Sequence, residues 1–184
     1  KGFGVCDKEN PEPIKPDTVF SIGSCTKAFT AAALGLLVDE GKLNWDDRVI
    51  QYLPGFAMVD PWVTEHVTIR DLVNHKLGLQ RWNRIMLQGE KFDPDQFIEK
   101  IRYIQPVKDF RTRFHYGNEQ YIVAGKIIEV ISGMSYADFM QKRIFDPLEM
   151  KSTYVNLQQM LAKHKGAIAR GHYNYDDKLM PVEL

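Results

Sequence analysis

SIGSCTKAFTAAALGLLVDEG, residues 21–41, sets a serine just ahead of a long apolar run and a lysine three positions after it. From Ser24 to Glu40 the residues are helix formers, apolar around almost the whole circumference, and Gly41 supplies a stop. That pattern predicts a helix buried on most sides. The run from Ala28 to Val38 is broken by Thr30 and Gly35 and falls short of the roughly 20 residues that span a bilayer, so it reads as a core helix and no membrane-spanning segment is predicted. Positions i and i+3 share a helix face, which puts the Ser24 hydroxyl and the Lys27 amine within reach of each other at the helix start. The positive end of the helix dipole and the apolar neighbours Ala28 and Phe29 disfavour an ammonium there, and a neutral amine can act as base toward a serine. The same tetrapeptide fits a plain N-cap at Ser24 with Lys27 reaching for solvent, so by itself it leaves both readings open.

On the N-terminal side, KGFGVCD and TVFSIG read as two short strands separated by the Pro-rich connector NPEPIKPD. The C-terminal side is helical. NWDDRVIQYLPGF suggests a short helix closed by Pro54, and VTIRDLV offers Thr68 and Asp71 as a capping box. Asp93 with Pro94 opens a helix through about Tyr103. Asn118 to Ser132 carries Tyr121, Ala124, Ile128 and Ile131 at helical spacing and is stopped by Gly133, while Ser135 with Asp138 caps a further helix ending near Pro147. There are no repeats and no low-complexity tract.

At 44% hydrophobic and 26% charged, 184 residues can bury a core, which makes the chain a single globular domain rather than a disordered one. Lysine plus arginine and aspartate plus glutamate are equal at 24 each, so no overall field draws nucleic acid or an anionic membrane, and no nucleic-acid partner is expected. The two cysteines, Cys6 and Cys25, allow one bridge or two free thiols and leave the redox compartment open. Cys25, turned about 100° from Ser24 around the helix, reads as a packing residue. The histidines at 66, 75, 115, 164 and 172 have no zinc-ligand spacing, so no metal is proposed, and Asp46 with Asp47 reads as a solvated turn. No signal peptide is visible, and a chain beginning at Lys1 would look the same after removal of a leader.

The tract TVFSIGSCTKAFTAAALGLLVDEGKLNWDDRVIQYLPGF resembles the opening of the serine β-lactamase and penicillin-binding-protein superfamily, in particular its class C β-lactamase-like branch, which includes esterases and D-amino-acid-peptide hydrolases. The resemblance continues in order through VTIRDLVNHKLGL, YGNEQYIVAGKIIEVISG and FDPLEMKSTY. It implies an α/β fold of the β-lactamase-like type, an antiparallel sheet flanked by helices with a helical subdomain, the sheet being incomplete in this chain. Residues 1–23 would be sheet strands, 24–41 the central nucleophile helix, 42–165 a mainly helical subdomain and 166–184 a connector toward further strands.

By the same likeness Ser24 is an acylated nucleophile whose backbone N–H donates to the oxyanion, Lys27 its base, Tyr116 a phenol that shuttles protons, and Asn118 a substrate contact. The implied activity is that of a serine hydrolase on a small-molecule ester, a β-lactam or a D-amino-acid peptide, without a cofactor; a catalytically silent scaffold or binding module is the alternative. An extracytoplasmic location is compatible with the resemblance. HKG at 164–166 fits a variant of the family's third motif literally, but it follows the helical LQQMLAK and reads as part of a connector. HKLGL at 75–79 departs from the usual H-T-S-G-L, which puts the hydrogen bonding of that loop in doubt. The chain as read stops at DKLMPVEL, before the strands that carry the third motif and a second oxyanion donor. Alone it is therefore expected to be inactive, and to associate with its own C-terminal segment or with itself.

Overall fold

A computed structural model describes residues 1–9, 11–80, 93–176 and 178–182. The chain divides into two compact units, one formed by residues 26–144 and the other by residues 1–25 together with 145–184.

The unit of residues 26–144 is helical. Helix α1 (Thr26–Asp39) buries Thr30, Ala33, Leu34 and Leu37, a single stripe, and leaves Ala28 and Ala32 exposed. The expectation of burial on most sides is met: the exposed positions, Ala28, Ala32 and Asp39, share one narrow face, and the other residues are buried or half-buried. Short helices α2 (Val49–Tyr52), α3 (Pro61–His66) and α4 (Ile69–Val73) follow, then α5 (Pro94–Lys100) running into a 3-10 turn at Ile101–Tyr103. Their starts follow local chemistry. Asp60 and Asp93 each cap a helix whose first residue is proline, and Thr68 with Asp71 closes the capping box read from the sequence.

Helix α6 (Glu119–Ser132) is the hub of this unit, packing on α1, α2, α4, α5 and α7 (Tyr136–Met140). It buries Val123, Ala124, Ile127 and Ile128, so its inward face is centred between these residues, with Tyr121 and Ile131 at the half-buried edges. It ends as expected at Gly133, in the left-handed region at φ 68°, whose N–H returns to the Glu129 carbonyl. A π-helical turn at Gln141–Phe145 continues α7. No helix among the described residues is long and apolar enough to cross a membrane.

The unit formed by the chain ends holds helix α8 (Leu157–Lys163), capped by Asn156, and a hairpin of β1 (His172–Tyr175) and β2 (Lys178–Pro181), antiparallel with His172 opposite Pro181. KGFGVCD and TVFSIG do not form the strands expected of them. They carry isolated bridges instead, Val5 antiparallel to Pro13 and Val19 parallel to Ile168. The reason is in the pairing: Gly4 sits at φ 80° and proline at 11 and 13 removes ladder donors, which stops the first bridge from lengthening. The two-stranded sheet lies in the stretch read as connector.

Candidate active site

Asn118 occupies the N-cap position of α6 but makes no capping bond with its side chain. Its Oδ1 instead accepts from Lys27 Nζ at 2.7 Å, a contact between residues 91 positions apart. A capping side chain would direct this oxygen at the α6 amides; here it faces Lys27 instead. Lys27, on the first turn of α1, is half-buried, and its Nζ lies 4.8 Å from the centroid of the Tyr116 ring and 5.4 Å from that of Tyr121. Both the ammonium and the neutral amine can donate to Asn118, so this cradle holds the nitrogen in place through a change of protonation state. Tyr121 is fixed by its own hydroxyl, which donates to the Val73 carbonyl at 3.0 Å. Burial, together with nearby Tyr116, holds the Tyr121 phenol above its ordinary value, leaving it a neutral wall of the site.

Gly117 between the two site residues has a steric reason. A Cβ there would lie 2.6 Å from Glu119 Oε2 and 2.7 Å from Gln120 Oε1, and both of those side chains are buried at the start of α6. The Tyr116–Asn118 turn therefore packs flush against the helix it introduces.

What brings Tyr116 to Lys27 is a lacing of main-chain bonds between residues 75–80 and 105–115. Gln80 N–H donates to the Gln105 carbonyl, Val107 and Lys108 N–H to that of Gly78, Arg111 N–H to that of Lys76 and His115 N–H to that of His75. Gly78 must be glycine, since a Cβ would lie 2.0 Å from the Lys108 carbonyl oxygen. The hydrogen bonding placed in doubt by Lys76 and Leu77 is carried by backbone, which explains how HKLGL tolerates those residues; Leu77 is itself buried. Asp71 reinforces the lacing from α4. Its carboxylate takes two bonds from Arg111, Nε at 2.9 Å and Nη2 at 2.6 Å, as well as the Thr68 amide and hydroxyl. Burial would raise this carboxyl, but the Arg111 guanidinium and the Thr68 donors outweigh it and hold it below the usual aspartate value.

His75 is the residue that the sequence reading passed over. It is buried, its ring stacks on Tyr116 at 4.6 Å, and its Nδ1 meets Gly117 N–H and Gln120 Nε2. The usable signal was its position: a non-glycine residue two places after the end of a short helix, where the chain turns.

Lys27, Tyr116 and Asn118 are thus brought together within the helical unit. Ser24 belongs to the other unit, where it is exposed in the 3-10 turn Gly23–Cys25 that precedes α1 in the chain. Cys25 is exposed rather than packed, because the turn at 23–25 has not yet entered the α-helix whose geometry the packing argument assumed; Cys25 and buried Cys6 are both free thiols. HKG lies off any strand: His164 caps the end of α8 and its Nε2 is 3.4 Å from the Ala167 carbonyl, a local turn. Asp46 and Asp47 also serve locally, Asp46 pairing with Arg70 and Asp47 accepting from the Asn44 amide and the Tyr52 hydroxyl.

Comparison with known proteins adds the following. The family model described as Beta-lactamase matches residues 1–178. The chain is 35% identical to the unguisins hydrolase ungD' of Aspergillus campestris over all of its length and 35% of that protein's. It is 33% identical to the teichoic acid D-alanine hydrolase of Staphylococcus aureus over 95% of the chain and 41% of that protein. Among solved structures, the octameric penicillin-binding protein homologue from Pyrococcus abyssi superposes with a TM-score of 0.83 at 32% identity, covering 98% of this chain and 42% of that one. The chain spans well under half the length of each of these relatives.

Proposed function

We propose that this chain, which belongs to the beta-lactamase family, carries the nucleophile and proton-transfer machinery of a serine hydrolase. The observation that supports this reading best is the convergence of Lys27, Tyr116 and Asn118, with Nζ 2.7 Å from the Asn118 oxygen and 4.8 Å from the Tyr116 ring. An amine, a phenol and an amide held together by tertiary folding make a proton-handling site, and the Lys27 amine follows Ser24 by three positions in the chain.

In this reading Ser24 Oγ attacks the carbonyl carbon of an ester or amide, and its proton passes to Lys27 Nζ. The Ser24 N–H donates to the oxyanion as the tetrahedral intermediate forms. Collapse breaks the bond to the leaving group, which takes a proton delivered through the Tyr116 hydroxyl, and leaves Ser24 as an acyl ester. Water then adds to that ester and loses its proton along the reverse path, freeing the acid and restoring Ser24. Asn118 both fixes Lys27 and offers its amide N–H to the substrate. The relatives named as a teichoic acid D-alanine hydrolase and an unguisins hydrolase support trying first an acyl group of D-amino-acid type, as ester or as peptide; a β-lactam is the third.

The test is covalent labelling. In the full-length protein a fluorophosphonate or a penicillin-type probe is expected to modify Ser24, and Ser24→Ala to lose the label while its stability changes by about 1 kcal/mol or less, the cost of a cap. Label retained in Ser24→Ala defeats the assignment, and no label on the wild type favours a silent scaffold.

A further inference from the structure

His75 follows α4 and its C-cap Asn74, and it takes φ 56°, the left-handed region that glycine or asparagine usually fills at a helix end. A residue with a Cβ is strained there by about 1 kcal/mol, so the side chain itself is the reason to look for a function. It is 7% exposed and ringed by aromatics: Tyr116 stacked at 4.6 Å, Phe114 edge-on at 5.2 Å and Tyr121 tilted at 5.3 Å. Two donors converge on Nδ1, the Gly117 amide at 3.3 Å and Gln120 Nε2 at 2.6 Å. A backbone N–H can only donate, so Nδ1 must present its lone pair and the ring proton sits on Nε2. At the same residue the main-chain carbonyl takes the His115 amide at 2.9 Å. His75 therefore grips His115, Tyr116, Gly117 and Gln120, residues within the Tyr116–Asn118 turn and on both sides of it.

We infer that His75 is a positioning residue for this reaction: it sets the Tyr116 hydroxyl against Lys27 by stacking on the phenol and by tethering the Gly117 amide through unprotonated Nδ1. The inference rests on the reading of Tyr116 as proton shuttle, and its test keeps the two apart. His75→Phe preserves an aromatic face and removes the acceptor. His75→Asn loses the ring but keeps an acceptor, Oδ1, near the place of Nδ1, and suits the backbone at φ 56°.

In the full-length protein, with a p-nitrophenyl ester as substrate, His75→Phe is expected to lower kcat by about 100-fold with KM within about twofold, the scale of a catalytic group displaced by an ångström or so. His75→Asn is expected to recover at least about tenfold of that loss, because the tether returns. Combined with Tyr116→Phe, His75→Phe should add nothing further, since it acts through Tyr116. Amide exchange read in parallel should show Gly117 protected in the wild type and in His75→Asn, and open in His75→Phe. The inference falls if His75→Phe keeps the wild-type kcat, if its effect persists in full on the Tyr116→Phe background, or if Gly117 stays protected in His75→Phe. Should Tyr116→Phe alone keep the wild-type rate, the shuttle reading falls instead, while Gly117 protection still reports on the tether.

Discussion

The two units of this chain differ in how they are held. In residues 26–144 the apolar side chains of α1, α2, α4, α5, α6 and α7 close around one another, with Leu34, Leu37, Ile69, Leu72, Ile127, Ile128, Phe139 and Met140 at most marginally exposed. In residues 1–25 and 145–184 the buried apolar residues among those described are Cys6, Phe145 and Met160, whereas Phe3 is 76% exposed and Phe20 51%. That unit is tied by single bridges, by Arg170 and His172 meeting Asp7, and by a hairpin of two four-residue strands. The difference bears on the proposal: Lys27, Tyr116 and Asn118 lie in the well-packed helical unit, whereas Ser24 lies in an exposed turn of the thin one.

The contrast breaks most readily at the hub. Ile127 is fully buried on α6, and Ile127→Ala is expected to cost about 2–5 kcal/mol, through lost transfer energy plus the cavity left behind, read as a shift of the urea midpoint. A cost below about 1 kcal/mol would show that α6 tolerates loosening and that the helical unit is no more rigid than the other.

That contrast also marks what a linear reading could reach. Helix starts and stops are written in a few neighbouring residues, which is why Thr68 with Asp71, Asp93 with Pro94, Ser135 with Asp138 and the stop at Gly133 all stand where the sequence puts them. Sheet pairing is written in residues far apart. Val19 pairs with Ile168 from the opposite end of the chain, and nothing in TVFSIG itself records that partner. In the candidate site, the resemblance points to Lys27, Tyr116 and Asn118, but not to what steadies them. His75 reads in sequence as one of five scattered histidines, and only the main-chain lacing of residues 75–80 to 105–115 places its ring beneath Tyr116.

The ion pair that reinforces this lacing sharpens the comparison through acid. Asp71 is held below its ordinary value by Arg111 and Thr68 against the opposing effect of burial, so its contribution is present above the unfolded aspartate value of about 3.9 and is lost as pH falls through the folded one. Asp71→Asn is expected to destabilise by about 2 kcal/mol at neutral pH, the scale of hydrogen bonds to a charged group. The gap from wild type should then narrow below about pH 4. Urea midpoints of the two proteins, measured from pH 7 downward, test this. A gap that stays constant into acid would mean that the Asp71 contribution is one of shape and not of charge, and that the frame around Tyr116 owes nothing to the pair.

The smallest effect is expected in the other unit. Phe20, half-exposed in the segment that leads to Ser24, gives up little burial when replaced, so Phe20→Ser should move stability by no more than about 0.5 kcal/mol, as for surface positions outside special features. The backbone of its neighbour Val19 keeps its bonds to Ala167 and Ala169 whatever side chain follows it. Urea unfolding compared with Ile127→Ala under the same conditions measures the asymmetry directly. If the two substitutions cost alike, Phe20 is covered in solution, and the thin unit is a packed layer whose apolar residues have found a partner. A negligible cost for Phe20→Ser beside a large one for Ile127→Ala would leave Ser24 on a lightly held turn, and Lys27, Tyr116 and Asn118, the groups proposed to move protons, in the well-packed unit.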